Sequence, residues 1–334
     1  MTEFDVLIVG AGIAGCATAL ELRSRGWRVG VLHQPQHACS FESLSPGAVR
    51  VLREWSIDAG CDISDVVAWW GSDQEKHAAH PGARVAQRNI LADSLRKRTI
   101  EQGAVVYGSG SVLHTERVLD LWRIEYEAEG ARDPRLRSRF LVDATGRRAV
   151  VGRRLGAERL TLDQLFCISA DIDEPKIVGS WTESEPNGWW NLCCSLEGGT
   201  LSFYSKTPMI RESRSEIAAY FNETKHLRYL LPGPRLLNPY VRSCGSSRLA
   251  PCTGPGWFSV GDAAWTVQPL ASGGVSKALR DARLVAQILE QGTNYYDRFQ
   301  TAEFTSYLGQ LAQQYALEKR WTTSPFWKIP NQVN

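Results

Sequence analysis

The stretch that decides the fold is Phe4-Asp5-Val6-Leu7-Ile8-Val9, followed directly by Gly10-Ala11-Gly12-Ile13-Ala14-Gly15. Its first part is a short apolar run, typical of a parallel strand that is buried on both faces. Its second part fits the pattern G-x-G-x-x-G. Helix-forming residues follow over 16–25, Gly26 can end that helix in a left-handed cap, and 28–32 predicts a second strand. This order of strand, glycine turn, helix and strand predicts a dinucleotide-binding unit.

Each glycine of this turn has its own task in the predicted unit. Gly10 permits the tight turn, Gly12 lets the backbone approach a pyrophosphate, and Gly15 lets the helix pack closely on the strand. The backbone amides at the start of the helix, which include those of Ile13 and Ala14, would then bind the phosphates.

The end of the second strand departs from the usual pattern. A carboxylate normally lies there and binds the ribose hydroxyls, about 20 residues after the glycine turn. This chain has His33 and Gln34 at that place. Both side chains can form hydrogen bonds with a diol, but neither carries a fixed negative charge. We therefore expect dinucleotide binding with an altered ribose contact.

Composition excludes several other classes of protein. The 334 residues carry a formal net charge of +2, which leaves no strong field for non-specific binding of nucleic acid or an anionic membrane. No apolar run approaches the roughly 18 residues of a membrane span. The eight cysteines form no C-x-x-C pair and the histidines show no ligand spacing, so we expect no metal site. The interpretation is a reduced, cytoplasmic protein, and the sequence carries no signal for its oligomeric state.

A later strand and turn indicate which dinucleotide binds. Residues 257–264 predict a strand that ends at Gly261-Asp262, where a carboxylate could hold a flexible polyol. The turn at 268–275 reads Gln-Pro-Leu-Ala-Ser-Gly-Gly-Val, and a helix is predicted over 276–289. Negative charge develops on one edge of a flavin during reduction, and free amides at a helix start would stabilise it. These segments favour FAD.

Together the motifs resemble those of flavoprotein monooxygenases with the para-hydroxybenzoate hydroxylase fold. The resemblance covers residue 2 to about 290 and includes an Asp-Ala-Thr-Gly motif at 143–146. It implies an α/β fold, in which a Rossmann-like FAD-binding domain is interleaved with a substrate domain on a mainly antiparallel sheet. The expected FAD-binding domain comprises 1–60, 85–160 and 250–295. The substrate domain would comprise 61–84 and 161–249, with a C-terminal helix and tail over 296–334.

The resemblance also implies which residues bind FAD. Arg88 would lie near the pyrophosphate, Asp262 would hold the ribityl hydroxyls, and the turn at 269–274 would face the isoalloxazine. Gln268 stands where the family usually has aspartate. The expected cofactor-binding residues are Gly10, Gly12, Ile13, Ala14, Gly15, His33, Gln34, Ser43, Leu44, Arg88, Val112, Asp143, Gly146, Gly261, Asp262, Pro269, Gly273, Gly274 and Val275.

Two shorter segments resemble a branch within that superfamily. Residues 42–46, Glu-Ser-Leu-Ser-Pro, resemble the flavin-dependent halogenase branch. Trp70-Gly71-Ser72 resembles the LodB-, GoxB- and QhpG-like flavoenzymes, which modify tryptophan in a partner protein. The resemblance implies hydroxylation of an electron-rich aromatic substrate through a flavin C4a-hydroperoxide, with a tryptophan side chain of a partner protein as one candidate in quinone-cofactor maturation. A transient NAD(P)H or a separate flavin reductase would supply the electrons.

Two other functions remain open at this stage. The first is a halogenase or small-molecule oxidoreductase, for which Lys76 is a candidate lysine. Trp327-Lys328-Ile329-Pro330 echoes the end of a halogenase signature, but its place after the flavin motifs favours a chance match. The second is a non-catalytic FAD-binding maturation factor, which would bind a partner without consuming oxygen.

The substrate half carries no known motif. Strands are predicted over 166–171, 188–195 and 201–204, and a helix over 210–221. A catalytic residue cannot be assigned, and the candidates for the lining of the substrate pocket are aromatic: Trp70, Trp190, Tyr204 and Trp265. The alternative for Trp190 and Tyr204 is that they pack against a helix. An amphipathic helix is predicted over 299–319, and 321–330 is interpreted as a tail or a partner contact.

Overall fold

The computed structural model describes residues 2–34, 40–63, 65–77, 81–108, 111–127, 134–206, 216–292 and 295–328. The helices are α1 (Ile13–Arg23), α2 (Pro46–Glu54), α3 (Arg88–Glu101), α4 (Val150–Arg154), α5 (Ile217–Asn222), α6 (Leu227–Leu230), α7 (Gly274–Gln291) and α8 (Tyr296–Ala316). Short 3₁₀ turns lie at Gly146–Arg148, Gly261–Ala263 and Pro269–Ala271. The strands are β1 (Thr2–Val9), β2 (Val29–Leu32), β3 (Phe41–Leu44), β4 (Cys61–Asp62), β5 (Asp65–Trp69), β6 (Lys76–His77), β7 (Arg84–Gln87), β8 (Val105–Tyr107), β9 (Val112–Val118), β10 (Leu121–Tyr126), β11 (Arg135–Asp143), β12 (Glu158–Thr161), β13 (Phe166–Ile172), β14 (Gly179–Glu185), β15 (Gly188–Ser195), β16 (Gly198–Ser205), β17 (Leu236–Ser243), β18 (Ser247–Ala250), β19 (Thr253–Gly254), β20 (Trp257–Ser259) and β21 (Trp265–Thr266).

The first sheet positions the predicted cofactor motifs. Its strands β20, β11, β1, β2 and β8 are adjacent in that order and parallel, so their carboxyl ends share one edge. The short strand β19 pairs with β20, and β9 and β10 form a meander that leads into β11. Helices α1, α3 and α7 pack with the sheet into one apolar core. Ligands of such sheets bind beyond the carboxyl ends of the strands, which is where the glycine turn lies.

The second sheet has seven strands in the order β17-β13-β16-β15-β14-β5-β6. All neighbours are antiparallel except β14 and β5. Successive side chains of a strand point to opposite faces. The outer face carries Trp69, Trp190 and Phe203 and packs against α5 and α6. The inner face carries Trp70, Trp189 and Tyr204 and packs against the C-terminal part of the chain.

The predicted α/β fold class with a mainly antiparallel second sheet is confirmed. The predicted order of strand, glycine turn, helix and strand appears as β1, the turn at 10–12, α1 and β2. The helix expected over 276–289 is α7, which begins two residues earlier. The helix expected over 210–221 is shorter, because α5 begins at Ile217, and 210–215 lie outside the described residues. The helix expected over 299–319 is α8. The domain boundaries stay a prediction. No helix of the described residues is long and apolar enough to cross a membrane.

Candidate functional site

The glycine turn after β1 has the geometry that a pyrophosphate requires. Gly10 has a φ of +109°, and a Cβ placed there would lie 2.4 Å from the carbonyl oxygen of Ala144. A Cβ at Gly15 would lie 1.8 Å from the carbonyl oxygen of Gly10. A Cβ at Gly12, in contrast, would meet nothing within 4 Å. The first and third glycines are therefore needed for packing, whereas the second borders open space.

The start of α1 supplies free donors at that open space. Gly12 is its N-cap residue and provides no side-chain cap. The first hydrogen bond within the helix runs from the Cys16 amide to the Gly12 carbonyl at 2.9 Å. The amides of Ile13, Ala14 and Gly15 precede it and are available to an anion, with the positive helix end behind them. These residues fit the pyrophosphate of FAD.

The end of β2 carries an unpaired polar atom. The His33 amide donates to the carbonyl of Tyr107 at 2.9 Å, but the buried Nδ1 of His33 has no hydrogen-bond partner among the described residues. Burial lowers the pKa of His33, and the positive charge of Arg96 lowers it further. Both effects favour the neutral imidazole. The Gln34 amide donates to the Ser111 hydroxyl at 3.3 Å. A ribose hydroxyl would satisfy the unpaired nitrogen, which fits the expected ribose contact.

The Asp-Ala-Thr-Gly motif shapes the turn that faces Gly10. Asp143 is fully buried and accepts hydrogen bonds from the Thr145 amide (2.9 Å), the Thr145 hydroxyl (2.6 Å) and the Gly152 amide (2.8 Å). Burial raises the pKa of its carboxyl. Gly146 has a φ of +66°. The carboxylate of Asp143 thus forms its hydrogen bonds with other groups of the protein. The motif supports the glycine turn through the carbonyl of Ala144, which faces Gly10.

The turn at Gly261-Asp262 is anchored from two sides. The Gly261 amide donates to Asp281 at 2.9 Å, and the ammonium of Lys277 contacts both the Gly261 carbonyl (2.8 Å) and Asp281 (2.7 Å). The guanidinium of Arg159 donates hydrogen bonds to the backbone carbonyls of Asp262 (2.5 Å) and Ala263 (2.9 Å). Burial lowers the pKa of Arg159 to about 10, which leaves the guanidinium charged at neutral pH.

The half-buried carboxylate of Asp262 accepts no hydrogen bond from the described residues, although its backbone is tightly held. A carboxylate with free acceptor sites on a rigid turn is suited to hold the hydroxyls of a ribityl chain. Sequence reasoning missed Arg159, Lys277 and Asp281. Lys277 and Asp281 lie four residues apart on a predicted helix, and that spacing is the only signal that could have indicated the pair.

The flavin-facing turn, Gln268–Gly274, ends at the start of α7. Gly273 is the N-cap residue of α7 and supplies no side-chain cap, so the first amides of the helix are free. Ser272 has a φ of +47°, and its hydroxyl accepts a hydrogen bond from Ser43 at 2.7 Å. The Ser45 and Ser276 hydroxyls lie 2.8 Å apart. The Glu-Ser-Leu-Ser-Pro segment is thereby joined to the flavin-facing turn.

Gln268 has a defined place in this turn. Its backbone N–H donates a hydrogen bond to the Tyr307 hydroxyl at 2.8 Å. Its side-chain Oε1 accepts a hydrogen bond from the Tyr315 hydroxyl, also at 2.8 Å. Both tyrosines belong to α8. The helix therefore supplies the hydrogen bonds that fix the turn, a relation that the sequence left open.

The remaining expected cofactor residues are distributed around these turns. Arg88 begins α3, and its guanidinium forms an ion pair with Glu42 at 3.0 Å while remaining 44% exposed. Leu44 is buried at the end of β3, and Val275 is buried in the first turn of α7. Val112 is buried at the start of β9, next to Ser111, which accepts the hydrogen bond from Gln34 at the end of β2. The half-exposed guanidinium keeps donors for a phosphate, whereas the buried apolar side chains can offer only backbone groups and packing.

Aromatic side chains form a cleft between the inner face and the flavin-facing turn. Trp189 and Tyr204 are stacked with ring centroids 3.8 Å apart, and Trp70 meets Trp189 edge-on at 6.3 Å. Tyr315 closes the other side, receiving a hydrogen bond from Trp189 Nε1 at 3.3 Å, and Leu270 packs against the same cluster. Phe326 and Trp327 belong to the same cluster and fill the region that these five residues bound, and we call this region the aromatic cleft.

Two of the four predicted pocket residues line this cleft and two do not. Trp70 and Tyr204 are on the inner face. Trp190 lies on the outer face, against Phe203 and Phe221, because it follows Trp189 directly in the strand and so points the opposite way. Trp265 is buried beneath α8, where its indole donates to Gln300 at 2.6 Å. The structure thus places Trp190 and Trp265 in packing roles.

A pair of cysteines on the inner face was also missed. Cys167 and Cys244 have their sulfur atoms 3.1 Å apart, and the Arg242 guanidinium lies 3.2 Å from Cys167 Sγ. Burial alone would raise the pKa of Cys167, but the hydrogen bond from Cys244 and the charge of Arg242 lower it to about 6. The arrangement favours a buried thiolate near the aromatic cleft, and only the pairing of β13 with β17 brings these residues together.

Comparison with known proteins supports the cofactor. A family model described as FAD binding domain matches residues 5–86. The chain is 24% identical to the putative FAD-dependent oxidoreductase LodB of Marinomonas mediterranea, over 98% of this chain and 97% of that protein. The solved structure of the myxobacterial chondrochloren halogenase CndH matches with a TM-score of 0.84 at 20% identity, covering 100% of this chain and 87% of that one. The peptidyl tryptophan dihydroxylase QhpG matches with a TM-score of 0.77 at 22% identity, covering 98% and 78%.

Proposed function

The chain is an FAD-dependent oxidoreductase with the fold of flavin-dependent halogenases and monooxygenases, and we propose that it hydroxylates an electron-rich aromatic substrate. The observation that carries the proposal is the aromatic cleft, which lies directly beside Leu270 of the flavin-facing turn. A cleft with aromatic walls binds an aromatic ring through apolar contact and edge-to-face packing.

The residues of the chain would hold the cofactor in the following way. The amides of Ile13, Ala14 and Gly15 bind the pyrophosphate, Asp262 binds the ribityl hydroxyls, and the first amides of α7 lie against the ring system. Bound FAD would supply the activation of dioxygen. The side chains of the aromatic cleft would exclude water and orient the substrate ring. A nicotinamide cofactor or a flavin reductase is the proposed electron donor.

A tryptophan side chain of a partner protein is the substrate we propose. The likeness to QhpG, which covers 98% of this chain, supports this choice, because QhpG is a peptidyl tryptophan dihydroxylase. A peptide substrate needs room for its backbone beside the reacting ring. The edge of the cleft at Trp70 borders Gly71, whose amide donates to Glu318 at 2.9 Å, so a peptide can enter there only when the C-terminal segment moves away.

The test is product formation under reducing conditions. Purified protein with FAD is incubated with NADH, a flavin reductase and a tryptophan-containing peptide, and the peptide mass is measured. We expect oxygen uptake and a peptide that has gained oxygen. The Asp262→Ala variant should lose FAD and the oxygenated product together, while Asp120→Ala, a fully exposed carboxylate in another region, should retain both. Oxygen uptake without any oxygenated aromatic product would overturn the proposal.

A halogenase is the second candidate, favoured by the likeness to CndH and by one contact. The ammonium of Lys76 donates to the carbonyl of Trp70 at 2.6 Å, which brings an amine to the border of the aromatic cleft. Adding bromide to the same assay distinguishes the two functions, because a halogenase would give a brominated product that depends on the halide. A protein that binds FAD but forms neither an oxygenated nor a brominated product would instead favour a non-catalytic FAD-binding maturation factor.

A further inference from the structure

The aromatic cleft contains a tryptophan from the chain's own C-terminal segment. Trp327 is only 7% exposed, and its ring centroid lies 5.2 Å from that of Trp70 at an angle of 75°. It also meets Tyr315 at 5.6 Å and Phe326 at 5.0 Å. The indole therefore has aromatic side chains on several sides, in the space between the inner face and α8.

The indole N–H also has a specific partner. Trp327 Nε1 donates to the backbone carbonyl of Glu185, at the end of β14, at 2.9 Å. A backbone carbonyl at the end of a strand accepts a hydrogen bond from any indole that reaches it, whichever chain carries the indole. Aromatic walls together with an acceptor for the ring N–H are the features that a site for a tryptophan side chain requires.

The segment 317–328, which we call the strap, is attached mainly through side chains. Glu318 is buried and accepts hydrogen bonds from the Gly71 amide (2.9 Å), the Ser184 hydroxyl (2.7 Å) and Arg320 (2.6 Å). Arg320 also forms an ion pair with Asp73 at 2.7 Å. We call these contacts the latch. The latch rests on Gly71, where a Cβ would lie 2.5 Å from the carbonyl of Leu317.

The strap is not part of any sheet. Among the described residues, its backbone hydrogen bonds run within the strap or to the end of α8, as from Trp327 to Ser324 at 3.2 Å. The rest of the molecule holds it through the latch, Trp327 Nε1 and the bond from Lys206 to Pro325. Detaching the strap would therefore break no strand pairing, although it would expose the buried side chains of Phe326 and Trp327.

We propose that the strap is a displaceable occupant of the substrate site, with Trp327 in the place of a substrate indole. This inference rests on the proposed function, since it assigns the aromatic cleft to the substrate. A substrate peptide then has to compete with the strap, so its apparent affinity is reduced by the fraction of molecules in which the strap is closed.

The test measures binding and needs no turnover. The probe is a fluorescein-labelled peptide with the sequence of residues 321–328, and its anisotropy is followed with the FAD-loaded protein. Trp327→Ala empties the cleft, and Arg320→Gln weakens the latch while leaving Trp327 intact. We expect both variants to bind the probe at least about tenfold more tightly than the unmodified protein. A probe with alanine at the position of Trp327 should not bind.

The matched control is Lys319→Gln, which removes one positive charge from the strap next to Arg320 but touches none of the latch contacts. It should bind the probe like the unmodified protein. If Trp327→Ala does not fold, Arg320→Gln still gives the result. A second measurement is cleavage by trypsin at Lys319 and Arg320, which N-acetyltryptophanamide should accelerate.

Unchanged probe affinity in both variants, together with unchanged cleavage, would show that the strap is a fixed part of the core and overturn the inference. These readouts are independent of hydroxylation. Tight probe binding by the variants without any oxygenated product would leave the strap inference standing and refute the proposed function. An oxygenated product without any gain in probe affinity would do the opposite.

Discussion

Replacing Gly12 and Gly15 by alanine, one at a time, separates cofactor binding from folding. Gly12 has a φ of −78° and a ψ of −172°, which any residue can adopt, and its Cβ would meet nothing within 4 Å. Loss of unfolded-state freedom stabilises such a Gly→Ala variant by about 0.4–1 kcal/mol. Alanine is a poorer N-cap than glycine by roughly 0.5–1 kcal/mol. The two effects offset each other, so Gly12→Ala should leave the stability of the apoprotein within about 0.5 kcal/mol.

The FAD affinity of the same variant should change strongly. The new methyl group stands in the space through which the pyrophosphate approaches the amides of α1, so the phosphate has to move away from its donors. We expect the dissociation constant for FAD to rise 10- to 100-fold, or about 1.4–2.7 kcal/mol.

Gly15→Ala should behave in the opposite manner. Its Cβ would lie 1.8 Å from the Gly10 carbonyl oxygen, so helix and turn must separate by more than an ångström. Overpacking of this kind costs about 3 kcal/mol. The better helix propensity of alanine returns at most about 1 kcal/mol. The apoprotein should therefore lose roughly 2 kcal/mol, and any loss of FAD affinity should accompany a loss of stability.

The assay combines urea unfolding of the apoproteins, followed by circular dichroism, with FAD titration followed by quenching of flavin fluorescence. The expected result is one variant that folds normally and binds FAD weakly, and one that folds poorly. If Gly12→Ala bound FAD with the affinity of the unmodified protein, the amides at the start of α1 would not be the pyrophosphate site. An apoprotein of unchanged stability with Gly15→Ala would refute the packing argument.

Three further predictions concern stability. Burial and the neighbouring Glu183 raise the pKa of Glu185 to about 7 from 4.5. The folded state thus binds the extra proton, so stability should fall as pH rises from about 4.5 to 7, and Glu185→Gln should flatten that slope in urea titrations across this range. Lys277→Met removes the ion-pair partner of the fully buried Asp281 and should lower the free energy of unfolding, measured in urea, by about 3–5 kcal/mol. A variant as stable as the unmodified protein would contradict the buried ion pair. Trp190→Ala should cost about 3–5 kcal/mol with unchanged FAD affinity, whereas unchanged stability would contradict its packing role.

The FAD-binding half could be predicted in detail because its signals are local. A buried strand, a glycine turn and a helix start lie within a dozen residues, and Gly15 is required there by the carbonyl of Gly10 in the same stretch. The same holds for the turn before α7. Asp143 shows the limit of motif reasoning. Its place in the motif is evident from the sequence, but only the contacts with Thr145 and Gly152 show that its carboxylate supports the turn.

The substrate side could not be predicted in the same way, because strand neighbours and faces decide it. A shift of one residue along a strand exchanges the two faces, which is why Trp189 lines the aromatic cleft and Trp190 does not. The pairing of β15 with β16 places Tyr204 opposite Trp189, and the pairing of β13 with β17 brings Cys167 to Cys244. No spacing in the sequence indicates these contacts.

The sequence by itself thus determined the parallel sheet, the positions of its phosphate-binding turns and the cofactor class, since these depend on residues that are close together in the chain. Only the tertiary structure decided that α8 fixes Gln268, that Arg159 holds the turn of Asp262, and that Trp327 fills the aromatic cleft. Each of these contacts joins residues more than 40 positions apart, so its geometry is a property of the whole fold and not of a local pattern.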